Sequence, residues 1–207
     1  MIEVHHLNNS RSQRILWLLE ELGVEYEIVK HQRDPETNLA PESLLAVHPL
    51  GKSPVIKDGD DVVIESGAII EHLARKYGKG RLVPADGTPD ALRYLQLMHY
   101  AEGSAMLPLM LKLYTGRLGE AGAPLHERID SEIENHMGYL DSLLEGREWF
   151  VGDDLSAADV QLSFACQAAG MLYGVEKFPN LASFLERIKK RPAYQKSIER
   201  GGAYAFG

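Results

Sequence analysis

Cysteine is almost missing from this sequence. Cys166 is the single one in 207 residues, so no internal disulfide framework can form and no cysteine-based structural zinc site can be assembled. Apolar runs are short as well. None approaches the roughly 20 residues that a bilayer-spanning helix needs, and no membrane role is expected. The opening stretch MIEVHHLNNSRSQR has neither the basic segment nor the apolar run of a secretory leader; with a lone cysteine, that predicts a reducing, cytoplasmic address. Basic charge is in deficit: 22 Lys and Arg stand against 30 Asp and Glu, a formal net charge of −8. Residues 1–79 carry 9 basic and 13 acidic side chains and residues 80–207 carry 13 and 17, so each part sits at −4. Neither offers the basic field that a phosphate backbone requires, and nucleic acid is not expected as a partner. A glycine-rich phosphate loop is missing too, in both spacing and lysine. What remains is 44% hydrophobic, 25% charged and 8% aromatic, the proportions of an ordinary soluble globular chain long enough to bury a real core.

The first 79 residues alternate in period. Ile2 to Leu7 is strand-compatible and ends in the turn residues Asn8-Asn9-Ser10. Ile15, Leu18, Leu19 and Leu22 then follow at i, i+3, i+4, i+7, with Ser10 and Ser12 as possible N-caps and Gly23 where a helix C′ residue belongs. Val24 to Val29 reads as a second strand, which makes a right-handed βαβ unit. A short helix is predicted around Pro41 to Val47. A shaped loop, His48-Pro49-Leu50-Gly51-Lys52-Ser53-Pro54, enters a strand at Val55. Lys57 to Asp61 reads as a hairpin turn, Val62 to Ile64 as the returning strand, and Glu65-Ser66-Gly67 as the opening of a helix closed by Gly78. The pattern is β-α-β-α-β-β-α, one compact α/β domain over residues 1–79.

Residues 80–90 are dense in glycine and proline and read as a linker; residues 91–207 read as an all-helical domain with no strand signal and no internal repeat. Helical segments are expected from Ala91 past Leu113, from Leu125 to Leu144, from Ser156 to Leu172 and from Leu181 to Lys190. Ser156 with Asp159 forms a capping-box arrangement, flanked by a Leu155–Val160 hydrophobic staple. Cys166 lies in an apolar helical run and reads as a small buried hydrophobe. No metal site is expected. His5 and His6 are strand neighbours facing opposite ways, and Glu132 with His136 lack a third ligand nearby in the chain.

An α/β domain, a linker and a helical domain in this order, with Ser10 and Arg14 at the first strand–helix junction, the His48-to-Val55 loop, Glu65-Ser66-Gly67 and the Ser156/Asp159 box, resembles the cytosolic glutathione S-transferases. The likeness covers nearly the whole chain, and it implies a thioredoxin-like N-terminal domain. It further implies a cis peptide at Ser53-Pro54, exposing the Ser53 backbone to the cysteinyl part of glutathione; only an X–Pro bond makes cis accessible, and the residues alone equally allow a trans proline starting a strand. By the same resemblance Glu65 and Ser66 hold the γ-glutamyl end, the carboxylate taking its ammonium, and the hydroxyl with helix-start amides taking its carboxylate. The plainer role of that pair is helix capping. Lys52 contacts the tripeptide backbone or glycyl carboxylate, or is simply solvated.

Conjugation requires a thiolate, whereas an ordinary thiol titrates near pH 8.5. A hydroxyl donor at the start of a helix lowers that value. Counted back from Arg14, Ser10 matches the catalytic serine of serine-type members, donating to the thiolate rather than attacking. A shift of one residue would hand the role to Asn9. Tyrosine- and cysteine-type members do not match, since neither residue occurs between Met1 and Val24. An electrophile pocket is expected between the domains, against Tyr100, Ser104, Met106, Leu107 and Met110, with Glu102 as a surface charge nearby. The resemblance thus implies glutathione as co-substrate, no metal, a small hydrophobic electrophile and a homodimer. The activity it implies is conjugation in detoxification, with glutathione peroxidase activity alongside. Two other functions stay open: a glutathione-dependent disulfide reductase, and a non-enzymatic interaction module keeping the fold.

Overall fold

The structure, a computed structural model, describes residues 1–206 and forms two compact units: residues 1–83 together with 189–205, and residues 84–188 together with Phe206. The sequence pattern divided the chain at 79 and 91; the observed units divide it at 83 and again at 188.

The first unit is built on a four-stranded sheet of β1 (Ile2–Leu7), β2 (Tyr26–His31), β3 (Val55–Asp58) and β4 (Asp61–Ile64), in the order β2-β1-β3-β4. β1 runs parallel to β2, with Val4 opposite Ile28, and antiparallel to β3, with Val4 opposite Ile56. The βαβ crossover and the hairpin are therefore as expected from the pattern. Between β1 and β2 lies α1 (Ser12–Leu22), which ends at Gly23 with φ 67°. The N–H groups of Gly23 and Val24 close the last turn on the carbonyls of Glu20 and Leu19, the left-handed cap that glycine accepts without a Cβ penalty. After β4 comes α2 (Ser66–Tyr77).

The helix expected at 41–47 is a single 3₁₀ turn, Glu42–Leu44. Pro41 sets its start, and Pro49 disfavours helical backbone at His48, so there is no room for a second turn. Leu44 is nevertheless fully buried, and the turn anchors the loop that leads to Pro54.

Helix α1 is buried on more than the one face its periodicity announced. Ile15, Leu16, Trp17, Leu18 and Leu19 are all inaccessible. The reason is a late segment, α8 (Pro192–Gly201), which packs along α1 within this unit. Trp17 and Tyr194 meet edge to face at 5.5 Å. Arg191 grips Glu21 in a two-pronged contact at 2.6 and 2.9 Å, while Arg200 and Lys196 reach Glu20 at 2.8 and 2.7 Å. A Cβ at Gly201 would lie 2.6 Å from Gln13 Oε1, so the two helices approach closely at that point.

The second unit is helical: α3 (Pro89–Tyr100), α4 (Met106–Gly116), α5 (Ala123–Leu143), α6 (Ala157–Leu172) and α7 (Pro179–Lys189). The long segment expected from Ala91 past Leu113 is interrupted by one wide π turn at Ala101–Ala105. Pro108 accounts for it: the ring lacks an N–H for the Ser104 carbonyl and would clash with it in a regular helix. α6 is the central element, buried from Ala157 to Ala169, and its small residues allow the neighbours to approach. The Asp159 carboxylate accepts the Ser156 N–H at 2.8 Å, the Ser156 hydroxyl at 2.6 Å and the Phe150 N–H at 2.8 Å. The box therefore also ties down the loop before the helix. Burial pushes the Asp159 carboxyl up to about 6, against those hydrogen bonds. Cys166 is fully buried beside it, and burial pushes its thiol far above the ordinary range. Among the described residues no helix is long and apolar enough to cross a membrane.

Candidate functional site

The carboxyl end of β1 is where the sheet's connections part, toward β2 on one side and β3 on the other, a usual place for ligands in α/β folds. The residues singled out above collect around it, each fixed by a local feature of the chain. Ser53 and Pro54 are joined by a cis peptide bond. The Ser53 hydroxyl donates to the His5 carbonyl at 2.9 Å, two residues before β3 pairs with β1 at His5–Val55. Among the described residues, neither the N–H nor the C=O of Ser53 bonds another backbone group. Lys52, beside it, is exposed.

Glu65 precedes α2 with φ 65° and ψ 115°. That is strained backbone for a residue with a Cβ, of a kind that persists where the surroundings enforce it. The carboxylate is exposed, and the residue's carbonyl accepts the Ile69 N–H at 2.8 Å. Ser66 is buried, and its hydroxyl oxygen accepts from Arg14 Nη2 at 2.6 Å. Arg14 is itself 3% exposed. A hydroxyl that accepts from a guanidinium keeps its own hydrogen for an outside acceptor, so the start of α2 presents a donor backed by positive charge.

The polar cluster at the start of α1 is differentiated. Ser12 is fully buried, whereas Ser10 keeps 6% exposure. The Ser10 oxygen accepts the Ser12 N–H at 3.2 Å, which makes Ser10 the working cap of α1, and lies 2.8 Å from Ser12 Oγ. Asn9 adopts the left-handed region at φ 50°, which asparagine tolerates. Its side-chain oxygen accepts the Ala205 N–H at 2.8 Å. Arg33 holds the turn from outside, with Nε on the Asn8 carbonyl at 3.1 Å and Nη2 on the Asn9 carbonyl at 3.3 Å. The Arg33 N–H also donates to Asn8 Oδ1 at 2.8 Å.

The residues expected to face an electrophile lie in the helical unit and part company. Met106 is 3% exposed and belongs to that unit's core, whereas Leu107 is 59% exposed. Tyr100 is half-buried, its hydroxyl 2.6 Å from His136 Nδ1, and burial raises its phenol to about 12. Ser104 sits half-buried in the π turn.

Sequence reasoning missed three contributors. Arg14 had served as a marker for counting, with nothing to show that it would reach Ser66, 52 positions on. Arg33 stands in a polar stretch without a pattern. His6, weighed as a ligand only, is buried against Ser12 at 2.8 Å.

Residues 1–75 match the family model of the glutathione S-transferase N-terminal domain, and residues 118–199 match that of the C-terminal domain. Glutathione S-transferase 3 of Schizosaccharomyces pombe is 34% identical, over 97% of this chain and 88% of that protein. Glutathione S-transferase 1 of Saccharomyces cerevisiae is 28% identical over 98% and 96%. Among solved structures, a glutathione S-transferase from Actinobacillus pleuropneumoniae superposes with a TM-score of 0.91 at 35% identity, covering 100% of this chain and 95% of that one. The chain belongs to the glutathione S-transferase family, as the resemblance of its motifs implied.

Proposed function

We propose that this enzyme transfers the thiolate of glutathione to electrophilic small molecules, with the Ser10 hydroxyl donating a hydrogen bond to the sulfur. The observation that carries the assignment is the division of labour at the start of α1. Ser12 is fully buried, whereas Ser10 keeps 6% exposure and caps α1 by accepting the Ser12 N–H. Asn9 is held in the left-handed turn with its oxygen on the Ala205 N–H, and its amide N–H group is the rival donor. The first-turn N–H groups of α1 add the positive end of a helix to the same place. Lowering a thiol pKa by about two units corresponds to roughly 2.7 kcal/mol, which one hydroxyl donor and a helix terminus together can supply.

The other ends of the tripeptide are assigned accordingly. The open backbone of Ser53 beside Pro54 takes the cysteinyl part, Lys52 the glycyl carboxylate, and Glu65 the γ-glutamyl ammonium. Ser66, backed by Arg14, takes the γ-glutamyl carboxylate. Tyr100, Ser104, Leu107 and Met110 are the members of the helical set with accessible surface for an apolar electrophile. A homodimer is supported by exposed leucines on both units, Leu50 at 59% and Leu92 at 61%; sedimentation at micromolar concentration tests it. A cytoplasmic address, with its reducing glutathione pool, fits a chain whose one cysteine is a buried thiol.

Calorimetric titration with glutathione, with the bound thiolate read by ultraviolet absorbance across pH, tests the reading. Saturable binding with a thiol pKa well below 8.5 is expected. No binding at millimolar glutathione would overturn it.

A further inference from the structure

The hydroxyl of Ser10 is linked to the interior through Ser12, and the direction of that link is set at its far end. Ser12 Oγ lies 2.8 Å from Ser10 Oγ and 2.8 Å from His6 Nδ1. It also accepts the Leu7 N–H at 3.2 Å, which occupies one lone pair. One lone pair and one hydrogen remain, to be divided between Ser10 and His6; the Leu7 carbonyl, at 3.3 Å, is a more distant acceptor.

The imidazole decides the division. With Nδ1 turned to Ser12, the hydrogen bond between the ring and the Gly201 backbone carbonyl at the end of α8 falls to the other nitrogen, Nε2. A carbonyl only accepts, so Nε2 carries the hydrogen. Burial above all, and then the charge of Lys30 and the neighbouring His31 on β2, keep the ring neutral, its pKa pushed down to about 4. A neutral imidazole that donates from Nε2 can only accept at Nδ1. Ser12 therefore donates to His6 and accepts from Ser10. The donors run Ser10 to Ser12 to His6 to Gly201, inward all the way.

We infer that His6 and Ser12 are positioning residues that tether the Ser10 hydrogen inward, so that Ser10 meets an arriving thiol as an acceptor and donates to the sulfur only by turning away from Ser12. The inference rests on Ser10 being the thiolate's partner. In the step itself the S–H bond breaks, the proton leaves to solvent and the sulfur keeps the electron pair. Ser10 gains and loses no proton; its hydrogen changes acceptor, from Ser12 Oγ to the sulfur. Ser12 thus competes with the thiolate for one hydrogen. Removing the competitor has the opposite sign to removing Ser10.

The test is the pKa of glutathione's thiol when bound, read by ultraviolet absorbance in the full-length protein and four variants. Ser10→Ala raises it. Ser12→Ala removes the competing acceptor and lowers it by about 0.5–1 unit, roughly three- to tenfold more thiolate at a pH below both values. His6→Leu leaves the Ser12 hydrogen free to turn to Ser10 and lowers the pKa likewise. His6→Asn keeps an acceptor near the Nδ1 position and returns it to the wild-type value, which a general packing role for the ring would not predict. An unchanged or raised pKa in Ser12→Ala overturns the tether, and that small substitution decides the case even if His6→Leu does not fold. If Ser10→Ala leaves the pKa unmoved, the assignment of Ser10 itself fails, an outcome distinct from failure of the tether alone.

Discussion

Arg14 donates to the Ser66 hydroxyl at 2.6 Å, tying the first turn of α1 to the first turn of α2. Two helix starts at one end of a sheet are thereby held in fixed relation; under the proposed function one serves the thiolate and the other the γ-glutamyl carboxylate. Both partners are buried, so the guanidinium acts at full strength through the serine. Ser66→Ala is expected to weaken glutathione binding about tenfold, in the range of a hydrogen bond to a charged group. Arg14→Met should weaken it at least as much. Calorimetry checks both; unchanged affinity in Ser66→Ala would remove the γ-glutamyl assignment.

Ser10 and Asn9 are separable by kinetics. Ser10→Ala should lower kcat by about ten- to a hundredfold, the loss of one well-placed donor in the transition state, while glutathione affinity stays near wild type. Asn9→Ala should instead cost stability, about 1 kcal/mol for a left-handed residue that loses its tolerance, and leave the bound thiol's pKa in place. Asn9→Gly restores the backbone and should recover most of that loss. A kcat collapse in Asn9→Ala alone would move the role by one residue.

Two carboxylates give the stability profile opposite slopes. Burial alone would raise the Asp58 carboxyl, but hydrogen bonds from Lys76, Tyr77 and His72 outweigh it and hold its pKa far below the ordinary value. That stability is present above the unfolded pKa of about 3.9 and is lost as pH falls below it. Asp159 runs the other way, with its folded pKa raised to about 6 by burial. Between about 3.9 and 6 the folded state keeps a proton that the unfolded state has released, so stability declines as pH rises through that window and is level above it. Asp58→Asn should flatten the acid limb of a denaturant-midpoint profile, and Asp159→Asn the decline from pH 4 to 6. Asp159→Ala, which strands the Phe150 and Ser156 N–H groups, should cost about 2–4 kcal/mol.

Helix α8 packs within the first unit, though it begins 180 positions after α1 does. Tyr194→Ala removes the ring that meets Trp17 edge to face and is expected to cost about 3–5 kcal/mol, as for a buried aromatic truncated to alanine. A chain ending at residue 188 should lose glutathione binding. Chemical denaturation and calorimetry report the two effects, and retained binding in the shortened chain would show that α8 is dispensable.

Much of this was legible along the chain. The crossover, the hairpin, the glycine cap at Gly23 and the Ser156/Asp159 box are consequences of local chemistry: period, turn residues and side chains within four positions of each other. Ser53-Pro54 and Glu65-Ser66 were marked as site residues by the resemblance to the glutathione S-transferases; local chemistry alone gave a strand-opening proline and a helix cap. Where the reading thinned, the cause was distance. The helix at 41–47 shrank to one 3₁₀ turn because flanking prolines outweighed propensity, and the run after Ala91 carries a π turn because Pro108 acts on a carbonyl four residues back.

What the sequence by itself determined is therefore the order and kind of most elements, because spacing along the chain sets faces, caps and turns, while the short list of polar residues at the sheet's end came from the resemblance of its motifs. Only the tertiary structure decided which of those residues remain accessible and which partners they meet. Ser12 and Ser10 are alike in sequence, yet one is sealed by His6 and the other is not. Arg14 finds Ser66 and Gly201 finds His6 across 52 and 195 positions. Burial and hydrogen-bond partners over such separations arise from packing, and no local pattern encodes them.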